Sequence, residues 1–119
     1  MNLAFVESID FSEIRNDYFN DERFRLFQVD LLEQPRRGQV IPGCGGIRKI
    51  RHSDRRRGKG KRGGLRIIYL YVEESDTILL IDVYDKDEAE DISTDDKKAI
   101  AGLARAFKTE ILQMQGKKP

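Results

Sequence analysis

LRIIYLYVEESDTILLIDVY, residues 65–84, reads as two strands and the turn between them. Leu65 to Val72 and Thr77 to Tyr84 are rich in Ile, Leu, Val and Tyr, the branched and aromatic residues that suit a pleated, half-buried surface. Four polar residues, Glu73-Glu74-Ser75-Asp76, separate them, and the spacing predicts a β-hairpin. Just ahead of it, Ile47-Arg48-Lys49-Ile50-Arg51 leaves the turn Gly43-Cys44-Gly45-Gly46 as a further strand. Three consecutive strands predict an antiparallel meander.

Helical signals flank the meander on both sides. Leu3 to Val6 is a short apolar run that reads as a strand. Asp10, with Glu13 completing a capping box, is the expected cap of a helix carrying Phe11, Ile14 and Tyr18 on one face. Asn20 and Asp21 open a second helix in which Phe24, Phe27 and Leu31 recur at i, i+3 and i+7, ending before Pro35. After the sheet, Ser93 and Asp96 match a capping box, and Ile100, Leu103, Ala104, Phe107, Ile111 and Met114 mark an apolar stripe at helical spacing. The expected fold is α+β: an antiparallel sheet of about four strands, packed with an N-terminal helical hairpin and a C-terminal helix, in one domain over residues 1–119.

The composition suits such a domain. Of 119 residues 39% are hydrophobic and 36% charged, a globular rather than a disordered balance. Cys44 is the only cysteine, so no internal disulfide forms and a reducing compartment is expected. The first residues lack the pattern of a signal peptide, and nowhere do eighteen apolar residues stand together, so the expected place is the cytoplasm and no membrane partner is expected.

A net charge of +1 hides an uneven distribution. Between Arg48 and Arg66 lie ten of the 22 basic residues and one acid, Asp54; the rest of the chain is acidic. Like charges this dense repel, and burying them unpaired is costly, so the cluster implies a polyanion, or an acidic partner segment, as its compensation. RNA is the expected polyanion. Alternation puts Lys49 and Arg51 on one face of their strand, Arg66 with Ile68 and Leu70 on one face of the next, and Asp82, Tyr84 and Lys86 in a polar row on the last. Registered together, Lys49, Arg51, Arg66, Tyr84 and Lys86 form a candidate catalytic face. Between the strands, Arg55, Arg56, Arg57, Lys59, Lys61 and Arg62, interspersed with Gly58, Gly60 and Gly63, read as a cationic finger for the backbone of a larger RNA.

Other candidates rank lower. His52 is the sole histidine and suits proton transfer near neutrality, but it alternates away from Lys49 and Arg51 and stays a secondary candidate. Cys44 has no histidine and acid beside it and receives no role. Asp85, Asp87, Glu88, Glu90, Asp91, Asp95 and Asp96 read as solvated acids near a helix N-terminus rather than as a metal site. No cofactor or metal is expected.

GGIRKIR, KGKRGGLRIIYLY and LLIDVYDKDE together resemble the sheet of the RelE/HigB family of toxins from bacterial type II toxin-antitoxin modules, and the KGKRGG loop is close to a HigB-type subgroup. FVES, DERFRLFQVDLLEQP and the terminal helix fall where that family has them. The resemblance implies a small RelE-like microbial RNase fold. It implies a metal-independent endoribonuclease, an mRNA interferase that cuts messenger on the ribosome, arrests translation and is neutralised by its antitoxin. It also implies as partners the ribosome, mRNA and a cognate antitoxin with a helix-turn-helix domain, through which alone operator DNA is met. Three family positions carry over, onto Lys49, Arg51 and Arg66. An arginine that some members have after the last strand is replaced by Asp87, and the family's C-terminal tyrosine has no match, so Tyr84 and Lys86 are the expected substitutes. In this scheme Lys49 is the base, Arg51 and Arg66 hold the phosphate, and Tyr84 stacks on a base or donates a proton. Two rivals stand beside it: a non-catalytic RNA- or ribosome-binding protein, and a ParE-like toxin acting on DNA gyrase, against which the cationic strand cluster counts.

Overall fold

The structure, a computed structural model, describes residues 3–52, 64–85 and 92–116. Its elements in chain order are β1 (Ala4–Glu7), α1 (Ile9–Tyr18), α2 (Asp21–Glu33), β2 (Gln39–Val40), β3 (Arg48–His52), β4 (Leu65–Val72), β5 (Thr77–Asp85) and α3 (Thr94–Met114). The expected meander is β3-β4-β5. Around it the sheet is mixed rather than purely antiparallel: five strands stand in the order β1-β5-β4-β3-β2, with β1 parallel to β5 and the two-residue β2 antiparallel to β3.

Two apolar layers flank this sheet. On one face, Phe11, Phe24, Phe27 and Leu31 of α1 and α2 close over Ile50, Ile67, Tyr69, Leu80 and Val83. On the other, Ala101, Ala104 and Leu112 of α3 cover Ile47, Ile68, Leu70, Leu79 and Ile81. Both faces of β4 and β5 are therefore dry, which accounts for their nearly continuous apolar sequence.

The caps follow the sequence at two helices and depart from it at one. Asn20 Oδ1 accepts from Arg23 N–H at 2.8 Å, and Ser93 Oγ accepts from Asp96 N–H at 3.1 Å, each satisfying an amide that the first helical turn leaves without a partner. At α1 the cap is Ser8, not Asp10. Ser8 Oγ accepts from Phe11 N–H at 3.1 Å and donates to the Ile81 carbonyl at 2.8 Å, so one hydroxyl both starts the helix and ties it to β5. Asp10 sits in the first turn, where its charge suits the helix dipole. The stripe of α3 is also rotated from expectation: Ala101 and Leu112 are buried, while Leu103 and Met114 are exposed.

Alternation breaks once, and the break matters. Ile68 pairs with Asp82 but Tyr69 pairs with Leu80, so Ile81 is an extra residue on β5, a β-bulge. Leu79 and Ile81 belong to the α3 side, yet beyond the bulge Val83 packs on the α1/α2 side and Tyr84 on the α3 side. Without the extra residue Tyr84 would face the opposite way.

Candidate functional site: a cationic row across three strands

Register assembles the site. Arg51 pairs with Arg66, and Arg66 with Tyr84, a single row across β3, β4 and β5 on the face that α3 shares. Lys49, Ile68 and Asp82 make the neighbouring row. The expected convergence of Lys49, Arg51, Arg66 and Tyr84 is thus present in the pairing, and it depends on the bulge that turned Tyr84 round. Lys86 and the finger residues Arg55, Arg56, Arg57, Lys59, Lys61 and Arg62 lie outside the described residues, as do Asp87, Glu88, Glu90 and Asp91.

The row grades from wet to dry. Arg51 is exposed and Lys49 half-buried, but Arg66 is 4% and Tyr84 8% exposed. Arg66 Nη1 donates to the Gly64 carbonyl at 3.1 Å and reaches that of Leu65 at 3.5 Å, which fixes the guanidinium against its own strand. Burial, and then the neighbouring Arg51 charge, lower the pKa of Arg66; Tyr84 and Asp85 partly offset this. Tyr84 packs among the apolar residues under α3, so its ring faces are covered and stacking on a base is not available to it. Its hydroxyl is buried as well.

Sequence reasoning missed other placements. Asp85, expected to be solvated, is fully buried at the end of β5 opposite Leu65; Asp95 and Asp96 are exposed in the first turn of α3, as expected. Arg48, inside the basic run, works for the fold: its Nη1 donates to the Gly38 carbonyl at 2.8 Å and the Arg36 carbonyl at 3.2 Å. His52 lies on the opposite face from the row, edge-on to Phe27 at 5.3 Å between ring centroids and 6.0 Å from Phe19. Cys44 is buried in the α3-side core.

Tyr69, which no sequence signal singled out, pins the approach to β2. Its hydroxyl donates to the Pro35 carbonyl at 2.8 Å and accepts from Gly38 N–H at 2.9 Å. A Cβ on residue 38 would lie 2.8 Å from the Tyr69 ring, so this position needs glycine. Burial raises the Tyr69 pKa, and the Gly38 hydrogen bond and the charges of Arg48 and Arg37 temper that rise. Among the described residues, no three histidine, cysteine or acidic side chains gather as a metal site, and no helix is long and apolar enough to cross a membrane.

No family model matches the chain. Among solved structures, the isolated E. coli RelE toxin aligns with a TM-score of 0.50 and 18% identity, over 86% of this chain and 99% of that one. A doubly substituted E. coli RelE toxin in the free state aligns at 0.49 with 21% identity, over 76% and 90%. The intact E. coli RelBE toxin-antitoxin complex aligns at 0.48 with 19% identity, over 69% and 94%. At such identities the likeness to the isolated toxin establishes a shared fold: a small α+β unit of three helices on a five-stranded mixed sheet.

Proposed function

We propose that this chain is a RelE-like toxin of a type II toxin-antitoxin module, which cuts mRNA on the ribosome without a metal and is held in check by a cognate antitoxin. The observation that carries the reading is the Arg51–Arg66–Tyr84 row, brought into register across three strands with Lys49 in the adjoining row. The fold shared with the isolated E. coli RelE toxin supports it, as does the sequence resemblance of the three strands.

Cleavage of an RNA strand by its own 2′-hydroxyl needs that proton removed, the added charge on the phosphorane stabilised, and the departing 5′-oxygen protonated. In this reading Arg51, exposed at the outer end of the row, takes the phosphate oxygens directly. Arg66, buried behind it, is a fixed cation whose orientation is set before substrate arrives, so no reorganisation is needed at the moment of reaction. Lys49 accepts the 2′-hydroxyl proton. Tyr84, buried alongside Arg66, braces the row from behind, and Lys86, two residues on in sequence, supplies the proton to the leaving oxygen. The finger Arg55 to Arg62 anchors the protein on ribosomal RNA, a contact that weakens steeply with salt.

The test is to map mRNA 5′ ends after brief induction of the wild type and of Arg51→Ala. New ends inside coding regions with the wild type, reduced about 10²–10³-fold by the substitution, are expected for loss of one preorganised charge donor. Intact messenger with salt-sensitive ribosome binding would identify a non-catalytic RNA-binding protein instead. Intact messenger with inhibited gyrase would identify a ParE-like activity.

A further inference from the structure

The turn Gly43-Cys44-Gly45-Gly46 leads into β3 at the end far from His52. Its backbone takes positive φ at Gly43, Gly45 and Gly46, at 74°, 68° and 91°, a path open to glycine, and buried Cys44 anchors it in the α3-side core. α3 runs alongside. Between them lies a cavity of about 300 Å³, walled by Pro42, Gly43 and Cys44 on one side and by Lys97, Lys98 and Arg105 on the other. A Cβ on Gly45 would stand 4.0 Å from Arg105 Cγ, so the stem of this arginine lies along the turn. Lys98 and Arg105 are exposed, and among the described residues neither enters an ion pair.

This cleft and the cationic row share one side of the sheet. Ile47 packs toward α3, so Lys49 and Arg51, two and four residues on, point to that side too. Gln39 pairs with Lys49, and Pro42 stands three residues farther along the same strand line, about 10 Å at the rise of an extended chain. Lys98 and Arg105, seven residues apart on α3, are separated by about 10 Å along its axis. Cations therefore continue from the row at repeated intervals, a pattern that a chain carrying a charge at every residue can meet. The other flank of α3 is the reverse. There a cavity of about 380 Å³, between α3 and the start of α1, is lined by Asp10, Asp82 and Asp96 and, among the described residues, by no cation. A polyanion leaving the row is drawn along the first flank and repelled by the second.

We propose that the cleft between the turn 43–46 and α3 is a second phosphate site, in which Lys98 and Arg105 hold the backbone of the single-stranded RNA that lies on Arg51. The proposal rests on the reading of the row as an RNA site, and it gives the strand a path: out between α3 and the turn, away from β1. Arg105 supplies a fork of donors for phosphate oxygens and Lys98 a point charge.

The test measures the affinity of the protein for a 2′-O-methyl RNA dodecanucleotide, which lacks the attacking hydroxyl and stays intact, between about 50 and 200 mM salt. Wild type is compared with Lys98→Gln/Arg105→Gln, which keeps much of both stems, and with Arg23→Gln/Arg25→Gln, which removes the same charge from α2 on the opposite side of the sheet. In the α3 variant the plot of log affinity against log salt is expected to become shallower by about 1.4, or about 0.7 for each phosphate contact of a single strand. The α2 variant keeps the wild-type slope. An unchanged slope in the α3 variant, or an equal change in the α2 variant, overturns the site. So does an α3 variant that loses affinity for polyglutamate but none for the RNA, which would make the cleft a surface for an acidic protein segment. Cleavage is scored separately on unmodified mRNA. A protein that cuts it but whose α3 variant keeps the slope retains its proposed function and loses this site. One that cuts nothing but shows the change retains the site and loses the nuclease.

Discussion

Two rows of side chains lie one residue apart on the same three strands and differ in almost every property. Ile50, Ile67 and Val83 are paired across β3, β4 and β5 and sealed under the α1/α2 hairpin. Their neighbours Arg51, Arg66 and Tyr84 are paired across the same strands, on the other face. The first row binds the sheet to its helices, and the second places an exposed cation over a buried one. Since the backbone ladder is common to both, the difference isolates what side chains contribute. Burial on one face gives the rigidity with which the other can hold like charges close together.

If that division of labour is right, Ile67→Ala should have the largest effect, lowering the unfolding free energy by about 2–5 kcal/mol through lost burial and a cavity. Urea denaturation measures it, and a loss under about 1 kcal/mol would break the claim that this row is the support. Arg51→Ala should do the reverse. We expect a cost of about 3 kcal/mol in the transition state for RNA cleavage, with stability within about 0.5 kcal/mol of wild type. A clearly lowered melting temperature would make Arg51 part of the scaffold instead.

Arg66→Ala crosses the boundary between the rows. It removes the donor to the Gly64 and Leu65 carbonyls from a buried site, and about 2–3 kcal/mol of stability should go with it, alongside activity. Comparing its denaturation midpoint with that of Arg51→Ala sharpens the contrast between the two arginines. The smallest effect expected is at Tyr69→Phe, about 1–2 kcal/mol for the lost bridge between Pro35 and Gly38. That residue also has a pH signature. An unfolded chain ionises Tyr69 near pH 10, while burial keeps it protonated in the fold, so its contribution is present below about pH 10 and lost as pH rises beyond it. Denaturant midpoints between pH 8 and 11 should fall less steeply in Tyr69→Phe than in the wild type.

Much of this contrast was legible in the sequence, for reasons tied to particular residues. The β4–β5 hairpin shows in Leu65 to Tyr84 because both strands are buried on both faces and bounded by four polar residues. The caps at Asn20 and Ser93 are local hydrogen bonds that short motifs encode. Ser8 was passed over because Asp10 offers the same chemistry two residues on, and only the reach of Ser8 Oγ to Ile81 distinguishes them. The bulge at Ile81 leaves no trace in a run of apolar residues, so the facing of Tyr84 matched expectation through a register shift that alternation alone does not contain. The same limit explains Asp85. Nothing in an acid-rich stretch tells which carboxylate the end of a strand will carry indoors. Exposed Leu103 and buried Ala101 show that an apolar stripe fixes a helix's period more firmly than its rotation.

The parallel pairing of β1 with β5 also bears on how the chain is made. Ser8 and the Ile81 carbonyl it bonds are 73 residues apart, and β1 has no other neighbour in the sheet. At translation rates of about 5–20 residues per second, the first strand waits roughly 4–15 s for its partner to be synthesised. Through that interval Phe5 and Val6 have no β5 to cover them, and the Arg51–Arg66–Tyr84 row does not exist until the last member of the meander has been added. Closing so long a loop is also the slow kind of contact in folding. Assembly of the sheet therefore brings β1 against a strand made 73 residues later, and the activity proposed for the row begins only when synthesis of the sheet is over.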